Sequence, residues 1–273
     1  MKAIEERQPE SRVYLRLLRI ATDAADDGWY APLTGDAAPP GAPRLHGATL
    51  GVDGRRVQEL LTRLLAATAD GESASPPGAV SRSDAVAVLE SALRFDAERL
   101  AGLAARVGGR EGGLDAVAGF LALPVLYAAA ARARKADLPE HWPHGHCPLC
   151  GARALLAEIR GLDRARLLRC GRCGSAWRMT WLRCAHCGES DHEKLGALLP
   201  EGSEETRKVE TCATCRGYLK SLTTLQARPL TELLLADLET LEFDLAAMER
   251  GYIRPAGPGA ALEVRVIDRE GTA

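Results

Sequence analysis

The sequence predicts a multidomain protein in which a helical N-terminal domain is followed by small metal-bound β modules and a closing C-terminal helix. Leu and Ala dominate the first 140 residues, and the aromatic fraction of the whole chain is only 4%. That composition favours helices, because Leu and Ala lose little side-chain freedom there. All eight cysteines lie in four Cys-x-x-Cys pairs between positions 147 and 215. Such pairs are typical of rubredoxin-like or zinc-ribbon modules.

The helical domain is predicted to cover residues 1–140, because apolar residues recur there at helical spacing. Helices are expected over Ser11–Asp27, after a capping residue at Asp53, over Ser83–Val107, and over Leu114–Lys135 around Pro124. A Pro- and Gly-rich loop is expected at 32–43.

Length, charge and hydropathy exclude several classes of protein. The 273 residues carry a formal net charge of only −2, which gives no overall attraction to nucleic acid or to anionic membranes. The longest apolar run, Ala116–Ala131, is shorter than the roughly 20 residues that a bilayer requires, so no membrane insertion is predicted. The N-terminus has no apolar secretory signal, so a cytoplasmic location is expected. The oligomeric state is left open.

The four cysteine pairs predict metal ligation. A Cys-x-x-Cys turn points two sulfur atoms the same way, and two such turns complete a tetrahedral site. Glycine follows the second cysteine in three pairs, at Gly151, Gly174 and Gly188, where a positive φ is often needed; in the fourth pair, Arg216 comes before Gly217. In a reducing compartment these pairs indicate metal knuckles and not disulfides.

The spacing of the pairs favours two separate sites. Ribbon-length gaps separate the first pair from the second and the third from the fourth, whereas only ten residues separate Cys173 from Cys184. The predicted ligands are Cys147, Cys150, Cys170 and Cys173 for the first ion, and Cys184, Cys187, Cys212 and Cys215 for the second. The corresponding modules cover 141–183 and 184–222. An interleaved arrangement is the alternative, and four sulfur ligands suit either zinc or iron.

Other polar residues in this region receive plainer interpretations. His141, His144, His146 and His186 lie beside or within knuckles, but four thiolates already complete a tetrahedral site. The ribbon from Ala152 to Arg183 holds eight arginines but only two acidic residues, which would suit nucleic acid or an acidic protein surface. Every cysteine is assigned to a knuckle and no catalytic arrangement is evident, so no catalytic residue and no enzyme activity are predicted.

The closing helix is predicted over 229–251, with one apolar face that is expected to be buried. That face consists of Leu234, Leu238, Leu241, Leu245 and Met248. Gly251 suits the position just past a helix end. The tail, 252–273, is punctuated by Pro and Gly and is weakly specified.

The segment from about Trp142 to Arg254 resembles the formate dehydrogenase accessory proteins, the FdhE family. The resemblance rests on the order and spacing of the four knuckles together with several flanking positions. These are Cys147–Gly151, Leu168–Cys170, Trp177, Lys208, Glu210, Tyr218–Lys220, Asp237–Leu238, Leu241, Asp244 and Gly251–Arg254. The chain departs from the family after Arg254, where Pro-Ala-Gly-Pro stands in place of an Asn-Pro-Phe segment, and the Pro-rich stretch from Pro32 to Pro43 does not align with the family.

The resemblance implies a cytoplasmic, non-enzymatic maturation protein that binds iron, with zinc as a substitute. The eight cysteines then hold two iron ions per chain. It also implies contact with the catalytic subunit of a respiratory formate dehydrogenase, which requires the accessory protein for activity. Two alternatives are a nucleic-acid-binding zinc-ribbon protein, which the low net charge disfavours, and a rubredoxin-like electron carrier.

Overall fold

The computed structural model describes residues 1–29, 38–68, 80–107, 113–133, 138–139, 142–199 and 206–269. Within it the chain divides into two compact units. The helical unit consists of Met1–Pro39, Arg44–Ala133 and Ala261–Ala273, and the cysteine-rich unit consists of Pro40–Pro43 and Arg134–Ala260. The predicted loop at 32–43 is described only from residue 38 onward, and His141 lies outside the described residues.

The helical unit packs its helices around Leu, Val and Ala side chains, as the apolar stripes predict. Its helices are α1 (Lys2–Arg7), α2 (Arg12–Asp23), α3 (Gly54–Thr68), α4 (Arg82–Arg94), α5 (Ala97–Val107) and α6 (Gly113–Arg132). The carboxylate of Asp53 accepts hydrogen bonds from the backbone N–H groups of Arg55 and Arg56, at 2.9 and 3.1 Å, and so caps α3 as predicted. Helix α6 continues through Pro124.

Helix α6 is long and apolar enough to cross a membrane by length and composition alone. However, 61% of its most apolar 18-residue stretch is buried inside the protein. It packs against α2, α3, α4 and α5. This burial is that of the core helix of a helical domain.

The helix predicted over Ser83–Val107 is two helices, so that prediction is wrong in its continuity. Helix α4 ends at Phe95, whose φ of 59° lies in the left-handed region. Asp96 then accepts a hydrogen bond from the backbone N–H of Arg99 in the first turn of α5. A left-handed residue ends a helix in the same way as the glycine that sequence patterns usually reveal.

The predicted tail also contains regular structure. Strand β8 (Val264–Asp268) pairs in parallel with β1 (Ala48–Val52) and belongs to the helical unit. The Asp268 carboxylate accepts a hydrogen bond from Gly54 N at 3.0 Å, at the start of α3. Strand β8 therefore completes the helical unit.

The cysteine-rich unit is built on one six-stranded sheet. Its strands are β2 (Leu156–Arg160), β3 (Ala165–Arg169), β4 (Ala176–Arg178), β5 (Leu195–Leu198), β6 (Arg207–Cys212) and β7 (Tyr218–Thr224). The spatial order is β4-β3-β2-β7-β6-β5, and every pairing is antiparallel except the central β2–β7 pair. The two predicted tandem modules are thus joined edge to edge in a single sheet.

The closing helix predicted over 229–251 is two helices, α7 (Leu230–Leu238) and α8 (Leu241–Glu249). Because the chain bends between them, the predicted apolar face does not stay buried: Leu245 and Met248 are 61% and 59% exposed. Phe243 and Ala247 of α8 are buried instead, against Val209 and Tyr218 of the sheet. Gly251 has the positive φ, 75°, that the sequence predicts there.

Candidate metal centres

The first cluster brings together the thiols of Cys147, Cys150, Cys170 and Cys173, all four of them buried. The first pair precedes β2 and the second follows β3, so the β2–β3 hairpin carries one pair at each of its open ends. The Sγ–Sγ distances are 3.5 Å for Cys147–Cys173, 3.5 Å for Cys150–Cys170 and 3.9 Å for Cys150–Cys173. Four sulfurs at about 2.3 Å from one ion lie about 3.8 Å apart. The donor set therefore fits a tetrahedral metal ion.

The second cluster brings together Cys184, Cys187, Cys212 and Cys215. The Sγ–Sγ distances are 3.7 Å both for Cys184–Cys215 and for Cys187–Cys212, which again fits one tetrahedral ion. Burial differs sharply from the first cluster, since Cys187 is exposed and Cys215 is half-buried. The structure thus brings the eight predicted ligands together in the two groups that the spacing favours, and not in the interleaved arrangement.

The backbone shapes three of the four knuckles in the same way. Behind three pairs, the N–H of Gly151, Gly174 or Gly188 donates to the carbonyl of the first cysteine at 3.0 to 3.1 Å. The φ angles of these glycines are 73°, 77° and 79°, which a side chain would strain. In the second cluster the N–H groups of His186 and Gly217 donate to the Sγ atoms of Cys184 and Cys215, both at 3.3 Å. Such bonds stabilise thiolate charge.

The fourth knuckle has a non-glycine residue in the left-handed position of its turn. Arg216 itself adopts a φ of 56° in the place where the other knuckles have glycine. Its guanidinium donates to the carbonyls of Arg250, at 2.6 Å, and Gly251, at 3.2 Å, and lies 4.2 Å from the ring centroid of Tyr252. These contacts offset the cost of a left-handed non-glycine residue and attach the end of α8 to the knuckle.

The pKa values of the buried thiols in the first cluster are shifted in opposite directions. Burial raises the pKa of Cys147 well above its ordinary value, and it does the same for Cys173. Hydrogen bonds from the neighbouring thiols lower the pKa of Cys170 well below it. A metal ion binds thiolates, so it must displace the protons of Cys147 and Cys173. The affinity of the first cluster for metal must therefore fall as the pH falls.

The comparisons with known proteins identify the cysteine-rich part of the chain. Residues 182–259 match the family described as FdhE, C-terminal domain. These residues therefore resemble the C-terminal domain of FdhE. The resemblance seen in the sequence is therefore confirmed.

Curated relatives match over part of their length. The Protein FdhE homolog of Stutzerimonas stutzeri is 41% identical over 123 residues, which are 44% of this chain and 39% of that protein. The homolog of Pseudomonas aeruginosa is 34% identical over 114 residues, 40% of this chain and 37% of that protein. The match thus spans about two fifths of each of these relatives. A crystal structure of the FdhE protein from Pseudomonas aeruginosa has a similar fold, with a TM-score of 0.55 and 22% identity over 94% of this chain and 96% of that one.

Several of the residues that carry the FdhE resemblance form one buried polar network. The ammonium of Lys220, on β7, contacts the carboxylates of Asp237 and Asp244 at 2.8 and 2.7 Å. The Tyr218 hydroxyl donates to Asp244 at 2.7 Å, and Arg254 pairs with Asp237 at 2.9 Å. The network joins α7, α8 and the segment after α8 to the sheet, so these residues hold the closing helices in place.

Several arginines of the ribbon form ion pairs inside the fold. Arg166 is 3% exposed and pairs with Glu210 at 2.6 Å, and Arg169 is 4% exposed and pairs with the fully buried Glu158 at 2.6 Å. Arg160 contacts Glu158 as well. The ribbon therefore does not present the broad basic face that a residue count indicates. The sequence cannot reveal this, because Glu210 lies 44 positions from its partner.

The described histidines lie outside both four-thiol sets. His144 and His146 stack on one another with ring centroids 5.0 Å apart and meet the edge of Trp142. A ring nitrogen of His186 lies 2.9 Å from the carbonyl oxygen of Tyr218, and a Cβ on Gly217 would come within 2.7 Å of the His186 ring. His186 thus packs the third knuckle onto the fourth.

Proposed function

We propose that this chain is a non-enzymatic accessory protein that an active respiratory formate dehydrogenase requires, and that it contacts the catalytic subunit of that enzyme in the cytoplasm. The observation that carries the proposal is the match of residues 182–259 to the FdhE C-terminal domain, because this segment contains the complete second four-thiol cluster. One six-stranded sheet connects it to the strands that carry the first cluster. The proposed role is recognition and not catalysis, because all eight cysteines are engaged in the clusters.

Each cluster is proposed to hold one iron ion, with zinc as a substitute. The first ion would be held by Cys147, Cys150, Cys170 and Cys173, and the second by Cys184, Cys187, Cys212 and Cys215. Iron in such a site supplies one-electron chemistry between its ferrous and ferric states, whereas zinc does not change its redox state. Metal analysis of protein purified without air should give two ions per chain and no acid-labile sulfide.

The functional test is deletion in the host. Loss of this protein should abolish or sharply reduce respiratory formate oxidation while the transcript of the enzyme persists. Complementation with the wild-type chain should restore activity, and complementation with Cys147→Ser/Cys150→Ser should not, because a ribbon of this size folds around its ion. Normal formate oxidation in the deletion strain would contradict the proposal.

The rubredoxin-like electron carrier is the second candidate. The exposure of Cys187 favours it, because an ion held there would lie near the protein surface. A reduction potential measured on the iron protein, together with electron transfer to or from formate dehydrogenase, would support this candidate. The nucleic-acid alternative loses its main support, because Arg166 and Arg169 are buried in ion pairs.

A further inference from the structure

One tryptophan stands apart from the other three. Trp29, Trp142 and Trp177 are buried, at 3%, 7% and 4% exposure, whereas Trp181 is 42% exposed and the next residue, Leu182, is 60% exposed. Exposed apolar patches can mark binding sites, and tryptophan is enriched among the energetically dominant contacts of interfaces. Trp181 and Leu182 therefore require an explanation other than packing.

These two residues border a pocket of about 170 Å³ on the sheet. Its floor includes Ala197, Glu210 and Leu219, which lie in one cross-strand row of β5, β6 and β7. The alternate residues, such as Val209, face α8 on the opposite side. Pockets for whole cofactors measure roughly 300–1,000 Å³. This one is of a size for one or two side chains of a polypeptide.

Two cations, Lys208 and Arg183, lie at the border of the pocket. The ammonium of Lys208 lies 5.3 Å from the ring centroid of Trp181, and no carboxylate of the described residues pairs with it. The Nε atom of Arg183 is buried and has no hydrogen-bond partner within the described ranges. The floor carboxylate, Glu210, is already held by Arg166. Cys184 and Cys212 of the second cluster also line the pocket. A ligand would therefore meet the apolar side chains of Ala197 and Leu219, a carboxylate that is already paired, and the cation of Lys208 beside Trp181.

Lys208 also differs from other residues that carry the FdhE resemblance. Glu210, Tyr218, Lys220, Asp237, Asp244 and Arg254 all make ion pairs or hydrogen bonds within the fold. Arg183 can balance the charge of thiolates in the nearby third knuckle, since it packs 3.6 Å from the Cβ position of Gly188. No such role inside the fold accounts for Lys208, whose described contact is with Trp181.

We infer that this pocket, which we call the Trp181 pocket (Trp181, Leu182, Arg183, Lys208, Ala197 and Leu219), docks an acidic segment of a partner polypeptide. The segment inserts one apolar side chain against Ala197 and Leu219 and places a carboxylate beside Lys208. Only the identity of the partner, the catalytic subunit, rests on the proposed function. The chemistry of the occupant rests on the pocket.

The first experiment tests the chemistry with the full-length, zinc-loaded chain. The probe is a fluorescein-labelled hexapeptide in which Leu-Phe is flanked by two acidic residues on each side, and binding is followed by anisotropy. Trp181→Ala and Lys208→Glu should each weaken binding at least tenfold, and a peptide with lysines in place of the acids should not bind. Matched controls are Leu162→Ala and Arg178→Glu, at exposed apolar and basic residues outside the pocket lining. Absence of peptide binding, or equal binding by all variants, would overturn the inference.

The second experiment uses the purified catalytic subunit of the host formate dehydrogenase. If the wild type binds it and only the two pocket variants lose at least tenfold in affinity, the inference and the proposed function both stand. If all variants bind alike, the pocket inference fails and the proposed function stands. If the wild type does not bind the subunit, the proposed partner fails, and the peptide result alone decides the pocket. A dimer in sedimentation that Trp181→Ala dissociates would assign the pocket to a second copy of this chain and overturn the inference.

Discussion

Lys220 provides the sharpest test of what holds the closing helices. Its side chain is only 1% exposed, and its ammonium contacts the carboxylates of Asp237 and Asp244 at 2.8 and 2.7 Å. It also donates to the backbone carbonyls of Asp237 and Thr240, at 2.7 and 3.4 Å. Asp237 lies in α7, Thr240 between the two helices and Asp244 in α8. One cation therefore pairs with two carboxylates and donates to the backbone carbonyls where the chain bends.

Lys220→Met should strongly destabilise the cysteine-rich unit. Removal of one partner from a buried ion pair costs about 3–5 kcal/mol, because the remaining charge is left uncompensated. Here Asp237 and Asp244 keep 19% and 13% side-chain exposure and retain contacts with Arg254. We therefore expect the lower end, about 3 kcal/mol. With a denaturant slope of about 1.5 kcal/mol/M, the urea midpoint should fall by about 2 M.

The assay should report on this unit alone, so we suggest urea unfolding followed by the release of zinc to a chromogenic chelator. Lys194→Met is the matched control: Lys194 also contacts two carboxylates, of Glu189 and Asp191, but it is 52% exposed. Exposed pairs of this kind contribute little, so its midpoint should not move measurably. Equal shifts for the two variants, or no shift for Lys220→Met, would refute the assignment of Lys220 as the central cation.

Three further predictions concern the second cluster, the ion pair of Arg166 with Glu210, and two glycines. A chelator should remove zinc from the loaded protein in two phases of equal amplitude, the faster from the second cluster, because Cys187 is exposed; a single phase would contradict this. Arg166→Ala should lower the free energy of unfolding by about 2 kcal/mol in urea denaturation, because it leaves Glu210 unpaired, whereas the exposed Arg164→Ala should change it by less than about 0.5 kcal/mol. Gly174→Ala should lower the free energy of unfolding by about 1 kcal/mol because its φ is 77°, whereas Gly102→Ala inside α5 should raise it by about 0.5–1 kcal/mol. Urea unfolding followed by far-ultraviolet circular dichroism compares the two variants with the wild type.

The grouping of the cysteines could be predicted from sequence because it depends on local geometry. Each Cys-x-x-Cys turn fixes two thiols, and the length of a ribbon decides which turns can meet. The glycines behind three knuckles take the positive φ expected of them. At the fourth knuckle, Arg216 takes that φ itself, and the compensating contacts come from residues more than 30 positions away.

The errors arise where distant segments decide the structure. The end of α4 at Phe95 carries no Gly or Pro signal. The face predicted to bury Leu241, Leu245 and Met248 requires one continuous helix, whereas the chain bends near Thr240, whose carbonyl accepts from Lys220. The parallel pairing of β1 with β8 joins segments more than 200 residues apart, and no periodicity in either segment indicates its partner.

The central β2–β7 pair couples the folding of the two clusters. Strand β2 follows the first knuckle of one cluster and β7 follows the last knuckle of the other, and the two strands pair in register from Ala157–Ser221 to Arg160–Thr224. A second contact lies at Gly145, where a Cβ would come within 1.5 Å of the Ala185 carbonyl oxygen, so the approach to the first knuckle lies directly on the third. Two modules that each folded around their own ion would need neither contact. Because strands in one sheet stabilise one another, an ion in either cluster should stabilise the sheet that carries the other cluster's ligands, and the eight cysteines act as parts of one folding unit.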